Sequence, residues 1–195
     1  MRRKDKEITD RKLISDIIRK CQVCRLGLAR DSAPYVIPVS FGFDGDALYF
    51  HTAKEGKKID YITANNSVCF EFEHGVHVLP DESSPCKWSF SFQSVVGYGK
   101  IHELVTESAK TVGLKQIMEH YSDQEWVFGD KALNTIRVWK ITIDAMTGKQ
   151  SRDHPFAVSP DHGRSTIRSG DRMRTTDRMR TTDTMATVKT GWEQK

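Results

Sequence analysis

An α+β protein with an antiparallel barrel at its centre is the fold class this sequence predicts. Three observations predict it. Six segments alternate apolar and polar residues at the strand period of two, or run as short β-rich stretches: 21–29, 35–43, 47–52, 68–73, 88–101 and 136–143. Helical spacing shows at the front of the chain and once more late, so the helices flank the strands instead of alternating with them. The 195 residues suffice for one domain with a substantial core.

The elements follow in order. Residues 1–8 are charged and read as extended. Thr9 or Asp10 can cap a helix through about Lys20, whose apolar stripe is Leu13, Ile14, Ile17 and Ile18. Cys21 to Ala29 reads as a strand, and Arg30 to Pro34 as its connection. Tyr35, Ile37, Val39, Phe41 and Phe43 share one face of the next strand. Asp44-Gly45-Asp46 turns it back as a hairpin into Ala47–Phe50, which ends at His51 and Thr52. Ile59, Tyr61 and Ile62 follow as a short helix. Val68, Phe70 and Phe72 mark a half-buried strand. Residues 74–87, with two prolines, read as a loop. Trp88, Phe90 and Phe92 form an aromatic stripe, read as core or dimer-interface packing, and the strand runs on to Ile101 with Gly97 and Gly99 inside it. Thr106 can cap a helix carrying Leu114, Ile117, Met118 and Tyr121. Residues 122–133 read as an irregular link, and Ile136–Ile143 as the last strand, where Trp139 reads as core.

The chemistry gathers between Tyr35 and Ile62. A strand delivers His51 and Thr52 at its end. A glycine-containing loop then leads to Lys57 and Lys58 at a helix start. Backbone N–H groups and the helix dipole favour an anion at such a place, and lysines add charge, so it reads as a phosphate seat. The plainer reading is a hairpin followed by a solvated basic loop. A metal set is also conceivable from Cys21, Cys24, His74 and His77, whose ligand types suit zinc. Against it, residues i and i+3 of a strand point to opposite faces, so no metal site is expected.

The run LYFHTAKEGKKID, with VIPVSFGF before it and WSFSFQSVVGYGKI after it, resembles the 5-nitroimidazole resistance proteins of the pyridoxamine 5′-phosphate oxidase-like, FMN-binding split-barrel superfamily. The opening MRRKDKEITD, the CQVCRLGLA segment and the closing MTGKQS resemble that family too, so the likeness covers roughly residues 1–151. It implies a six-stranded antiparallel split β-barrel, a homodimer with FMN at the subunit interface, and reduction of a small electron acceptor such as a 5-nitroimidazole. By this resemblance His51 lies near the flavin and takes part in catalysis. Thr52, Lys57 and Lys58 meet its phosphate. The backbone of Ile37, Pro38, Val39 and Ser40 lines its ring, and Ser94 stands where the superfamily reaches the flavin of the partner subunit. The pair Lys57-Lys58 stands where Arg-Lys is frequent, which keeps the charge and loses the bidentate fork. Two other functions share the fold: a non-catalytic flavin- or haem-binding module, and the pyridoxamine 5′-phosphate oxidase reaction itself. The tryptophan and arginine that hold substrate phosphate in the oxidases have no clear match here.

Composition narrows the rest. The formal net charge is +4; nine of the 30 basic and six of the 26 acidic residues lie from Ser151 onward, so the body is near neutral. Residues 152–195 carry the hexapeptide DRMRTT at Asp171 and again at Asp177, with few apolar residues. They read as a low-complexity, disordered extension, and the interspersed aspartates argue against a nucleic-acid-binding arm. No run reaches transmembrane length and the first ten residues hold no apolar core of a signal peptide, so a cytoplasmic protein without membrane partner is expected. The four cysteines are then free thiols.

Overall fold

The computed structural model describes residues 3–151; the extension 152–195 and its repeat lie outside the described residues. Eight strands form one antiparallel sheet: β1 (Glu7–Ile8), β2 (Cys24–Arg30), β3 (Ala33–Val39), β4 (Gly42–Phe43), β5 (Ala47–Ala53), β6 (Ser67–Leu79), β7 (Ser89–Leu104) and β8 (Ile136–Gln150). Four helices accompany them: α1 (Arg11–Lys20), α2 (Lys57–Ala64), α3 (Glu107–Tyr121) and α4 (Asp130–Leu133). The six long strands are the six expected from the sequence. The other two, β1 and β4, are two residues each.

Strand order along the sheet is β3-β2-β6-β7-β8-β5-β4, with β1 added beside β8. The ends of that path, β3 and β4, are separated in sequence by only Ser40 and Phe41. Three Cα steps span at most about 11 Å. A sheet whose two edges must come that close has to curl on itself, and this is the origin of the split barrel. The expected hairpin is therefore corrected. Tyr35–Phe43 is not one strand: β3 pairs with β2, and only Gly42 and Phe43 pair with β5, opposite Tyr49 and Leu48. The tight turn itself stands, with Asp44 Oδ1 accepting from the Asp46 and Ala47 amides.

Inside the barrel lie Leu26, Phe41, Phe50, Phe70, Phe72, Val95, Trp139 and Ile141, closed by Ile14, Ile17 and Ile18 of α1. A second cluster, Ala47, Tyr49, Leu114, Ile117, Leu133 and Val138, lies between α3 and the outer face of β5 and β8. Helix caps fall as expected: Asp10 Oδ1 accepts from the Lys12 and Leu13 amides, and Thr106 Oγ1 accepts from the Ala109 amide.

Four further boundaries differ. Cys21 closes α1 instead of opening a strand, its amide bonded to the Ile18 carbonyl. Residues 74–79 continue β6 past a bulge between His74 and His77, so the loop is confined to 80–88. The last strand runs on to Gln150, pairing with β7 as far as Gln93. The link 122–133 contains the short α4.

Candidate functional site

Alternation along β5 sets the site. Leu48, Phe50 and Thr52 face the barrel interior, while Tyr49, His51 and Ala53 face outward. Helix α3 covers Tyr49 but not His51, which is exposed at the strand's end. In register, His51 pairs with Val138, and Val138 with Leu104. Crowding by nearby atoms first, and the Lys58 charge second, hold the His51 imidazole below its ordinary pKa of 6.5. The ring is therefore mostly neutral at pH 7.

Three loop residues separate β5 from α2. Gly56 is its N-cap and carries no side chain, so no side-chain cap closes the first turn. The unclaimed amides of a helix start and its positive dipole end suit an anion. Lys58 faces His51 electrostatically. Lys57 leans the other way, its ammonium 4.7 Å from the centre of the Tyr35 ring and 5.7 Å from that of Tyr61. Ile59 and Ile62 bury their side chains and anchor the helix to the barrel. An uncapped start, two lysines and a neutral imidazole are a donor set that fits a phosphate monoester.

Thr52 lies under this seat and is 3% exposed. Its hydroxyl donates to the Ala53 carbonyl at 2.8 Å and accepts from Trp139 Nε1 at 3.0 Å. Ile37 is buried, Val39 half-buried, and Pro38 and Ser40 exposed, along the β3 edge of the split. The break at Ser40-Phe41 is held by Tyr121, whose hydroxyl accepts from the Phe41 amide at 3.0 Å and donates to the Gln22 carbonyl at 2.8 Å. The fold thus brings His51, Thr52 and Lys58 together at the β5–α2 junction, with Lys57 on the Tyr35 ring of β3.

Ser94 is not among them. It pairs with Glu73 and Lys149, ten residues along β7 from Leu104, which is roughly 33 Å of strand. Ser94 shares its outward face with Phe90 and Phe92. That face carries the aromatic stripe outward: Trp88 and Phe90 are 56% and 55% exposed, whereas Ser91 and Gln93 are buried on the inner face. The stripe is therefore not core of this chain. The Cys–His set does not assemble: among the described residues no three His, Cys, Asp or Glu side chains gather for a metal. Cys21 Sγ instead meets the Ile17 and Glu73 carbonyls, and burial pushes its pKa up to about 11 and that of Cys24 higher still.

Three participants at the β5 end escaped the sequence reading of the site: Glu103, Arg137 and the hydrogen-bonding role of Trp139. The Arg137 guanidinium grips Glu103, with Nε to Oε1 at 2.8 Å, and lies 4.5 Å from the Trp139 ring centre. A signal was present in Arg137 and Trp139, two apart in one strand and hence on one face. Nothing local, however, tells the sequence reader that Glu103 lies opposite.

A curled antiparallel sheet, split between β3 and β4, defines the split-barrel class. The sequence model of the pyridoxamine 5′-phosphate oxidase family matches residues 10–150, and the chain belongs to that family. Among solved structures it is similar to a candidate 5-nitroimidazole antibiotic resistance protein from Bacteroides thetaiotaomicron. The two share 33% identity, covering 73% of this chain and 85% of that one, with a TM-score of 0.66. Two more distant structures share the fold. One is an FAD- and haem-binding protein from Mycobacterium smegmatis (18% identity, 78% and 77% covered, TM-score 0.66). The other is a flavocytochrome from Azotobacter vinelandii (17%, 85% and 83%, 0.67). A comparison with curated proteins gave no match. Among the described residues, no helix is long and apolar enough to cross a membrane.

Proposed function

We propose that this protein is an FMN-binding, homodimeric flavoprotein that reduces small electron acceptors, 5-nitroimidazoles among them. The observation that carries the reading is the uncapped start of α2, flanked by Lys57 and Lys58 and set beside an exposed, neutral His51. The α2 amides and Lys58 would hold the phosphate, with Lys57 completing the positive field from its place on Tyr35. The backbone of Ile37–Ser40 offers the edge along which the ring would lie. When bound, FMN supplies the redox chemistry, taking electrons from an external donor and passing them to the acceptor. His51, exposed at the end of β5 and held toward its neutral form, would offer a ring N–H or lone pair to an acceptor without adding charge. The acceptor class follows from likeness to the Bacteroides protein.

A second copy of the chain supplies what one copy leaves open. The outward face of Val76, Val78, Trp88 and Phe90 is apolar and suits a self-complementary interface. Ser94 on that same face would then approach the partner's cofactor.

Purification tests the reading directly. The expected protein shows flavin absorbance, releases FMN on denaturation and migrates as a dimer. Nitro-substrate turnover should fall at least tenfold in His51→Ala while FMN stays bound. A colourless protein that also refuses added FMN overturns the proposal. The fold shared with the haem-binding neighbours favours a second reading, a binding module without turnover. In that case His51→Ala changes ligand affinity at most.

A further inference from the structure

Helix α3 ends on His120 and Tyr121, and these two rings tie together stretches that lie far apart in sequence. Tyr121 Oη accepts the Phe41 amide proton at 3.0 Å and donates to the Gln22 carbonyl at 2.8 Å. Both partners are main-chain groups with fixed roles, since an amide N–H only donates and a carbonyl only accepts. The partners therefore assign the hydroxyl proton to Gln22. His120 Nε2 lies 2.7 Å from the Cys21 carbonyl and is the donor there for the same reason. The Ser40 side chain lies beside the Tyr121 oxygen as well.

Packing fixes the place from which Tyr121 reaches. The Phe41 ring, 1% exposed, stands 4.2 Å from the His120 ring and 4.8 Å from that of Phe72 inside the barrel. Gly42 lets the α3 backbone lie directly on β4: a Cβ there would run into the Gln116 carbonyl and the Ile117 amide. Contact that close leaves α3 no play against the strand.

The tie falls where the sheet offers none. Strand β3 stops at Val39 and β4 starts at Gly42, so Ser40 and Phe41 have no strand partner. Strand β3 ends the sheet and pairs with β2 alone. The end of an edge strand frays unless something holds it. Tyr121 holds it from outside the sheet. The residues just before the tie are Ile37–Ser40, the edge along which the ring lies on the FMN reading.

We propose that Tyr121 is a positioning residue for the flavin: it fixes the β3 edge, Ile37–Ser40, without touching the ligand. The proposal rests on the FMN reading for its binding measurement and is independent of it for a second measurement made without FMN.

Tyr121→Phe keeps the ring and removes the hydroxyl. Thr106→Ala removes the N-cap at the other end of α3 and controls for lost helix stability alone. Both full-length variants would be compared with the wild type, with unfolding midpoints recorded alongside. Without FMN, the Phe41 amide of Tyr121→Phe should exchange about tenfold faster, the size of one lost hydrogen bond. The NMR signals of Ile37, Val39 and Ser40 should shift with it and stay in place in Thr106→Ala. With FMN, Tyr121→Phe should bind about fivefold to tenfold more weakly and show a shifted visible band, because binding must now order the edge. Thr106→Ala should bind as the wild type does. A disturbance confined to the Phe41 amide, with Ile37–Ser40 unmoved, would overturn the proposal. So would unchanged FMN affinity and spectrum in Tyr121→Phe. An equal loss of affinity in both variants would make Tyr121 an ordinary support of α3 and also overturn it. Should the wild-type protein refuse FMN, the FMN reading fails by itself, and the signals of Ile37–Ser40 still decide whether Tyr121 holds the edge.

Discussion

The β6–β7 ribbon has two halves that obey opposite rules. In the upper half, Val68, Phe70 and Phe72 of β6 and Val95, Gly97, Gly99 and Ile101 of β7 face the interior and are buried. In the lower half, beyond the β6 bulge, the inner face of β7 carries Ser91 and Gln93, and the apolar residues Val78 and Phe90 pair on the outside. The bulge between His74 and His77 shifts β6 by the residue needed to keep the two strands in phase. An apolar pattern that changes faces within one strand means that two different surfaces supply the burial. One is this chain's own core. The other, on the proposed dimer reading, is a second copy of the chain.

The largest expected effect tests that external surface. In a two-fold dimer each substitution counts twice, so Trp88→Ser with Phe90→Ser should cost about 4 kcal/mol or more of association energy. The barrel itself should stay folded, since neither side chain is core. Sedimentation should show monomers with an unchanged far-UV spectrum. Trp88 suits the role of anchor because its ring N–H is already fixed on the Asp81 carbonyl at 2.8 Å. A variant that still sediments as the wild type does would break the comparison.

The same strand, seven residues on, should respond in the opposite way. A Cβ at Gly97 would intrude on the Phe70 ring and lie 2.8 Å from the Ala145 carbonyl oxygen. Phe70 is fully buried and cannot step aside. Gly97→Val should therefore cost about 3 kcal/mol through overpacking, read as a lowered denaturant midpoint. Here the fold fails before assembly does.

How legible was this in the sequence? Val68, Phe70 and Phe72 announced a buried strand because period two and burial agreed. Asp10, Asp44 and Thr106 were legible because capping and turn chemistry act within three residues. Trp88, Phe90 and Phe92 gave the same alternation as a core strand, and alternation alone does not say which face is in. The 35–43 segment read as one strand because nothing local marks the point where Ser40-Phe41 leaves β2 for β5. That break is fixed by Tyr121, about eighty positions away. The site divides likewise. His51, Lys57 and Lys58 lie in one run and were visible together. Glu103 and Arg137 meet only through strand register. Long-range pairing is what a one-dimensional reading lacks, and resemblance to a family supplied part of it.

The polar inner face of the lower half gives a smaller effect. Gln93 Nε2 and Gln150 Oε1 are 3.4 Å apart and buried, and Ser91 Oγ is buried with no hydrogen-bond partner among the described residues. Gln93→Leu alone should cost about 1–2 kcal/mol, because it strands the Gln150 amide. Gln93→Leu with Gln150→Leu should recover most of that, measured by the same unfolding curves. A double variant worse than either single one would show that these amides bond to something beyond each other, and the lower interior would then be a polar site in its own right.

The smallest effect lies at the other end of the barrel, where the outward face is charged instead of aromatic. His51 titrates below 6.5 first because neighbouring atoms strip water from its charged form, and second because Lys58 repels it. A lowered folded pKa means that the unfolded chain binds the proton more readily. The sign follows: His51 costs no stability above 6.5, and its contribution is lost as pH falls from 6.5 through the folded value. Lys58→Met removes the second cause and leaves the first. The His51 ring should then titrate higher than in the wild type and still below 6.5, while the acid limb of the stability curve flattens slightly. An outward face of aromatic residues, like that of the lower ribbon, would not respond to a single neutralised lysine. A response at the β5 end would separate the proposed anion seat from the proposed dimer face by the chemistry of their outward side chains.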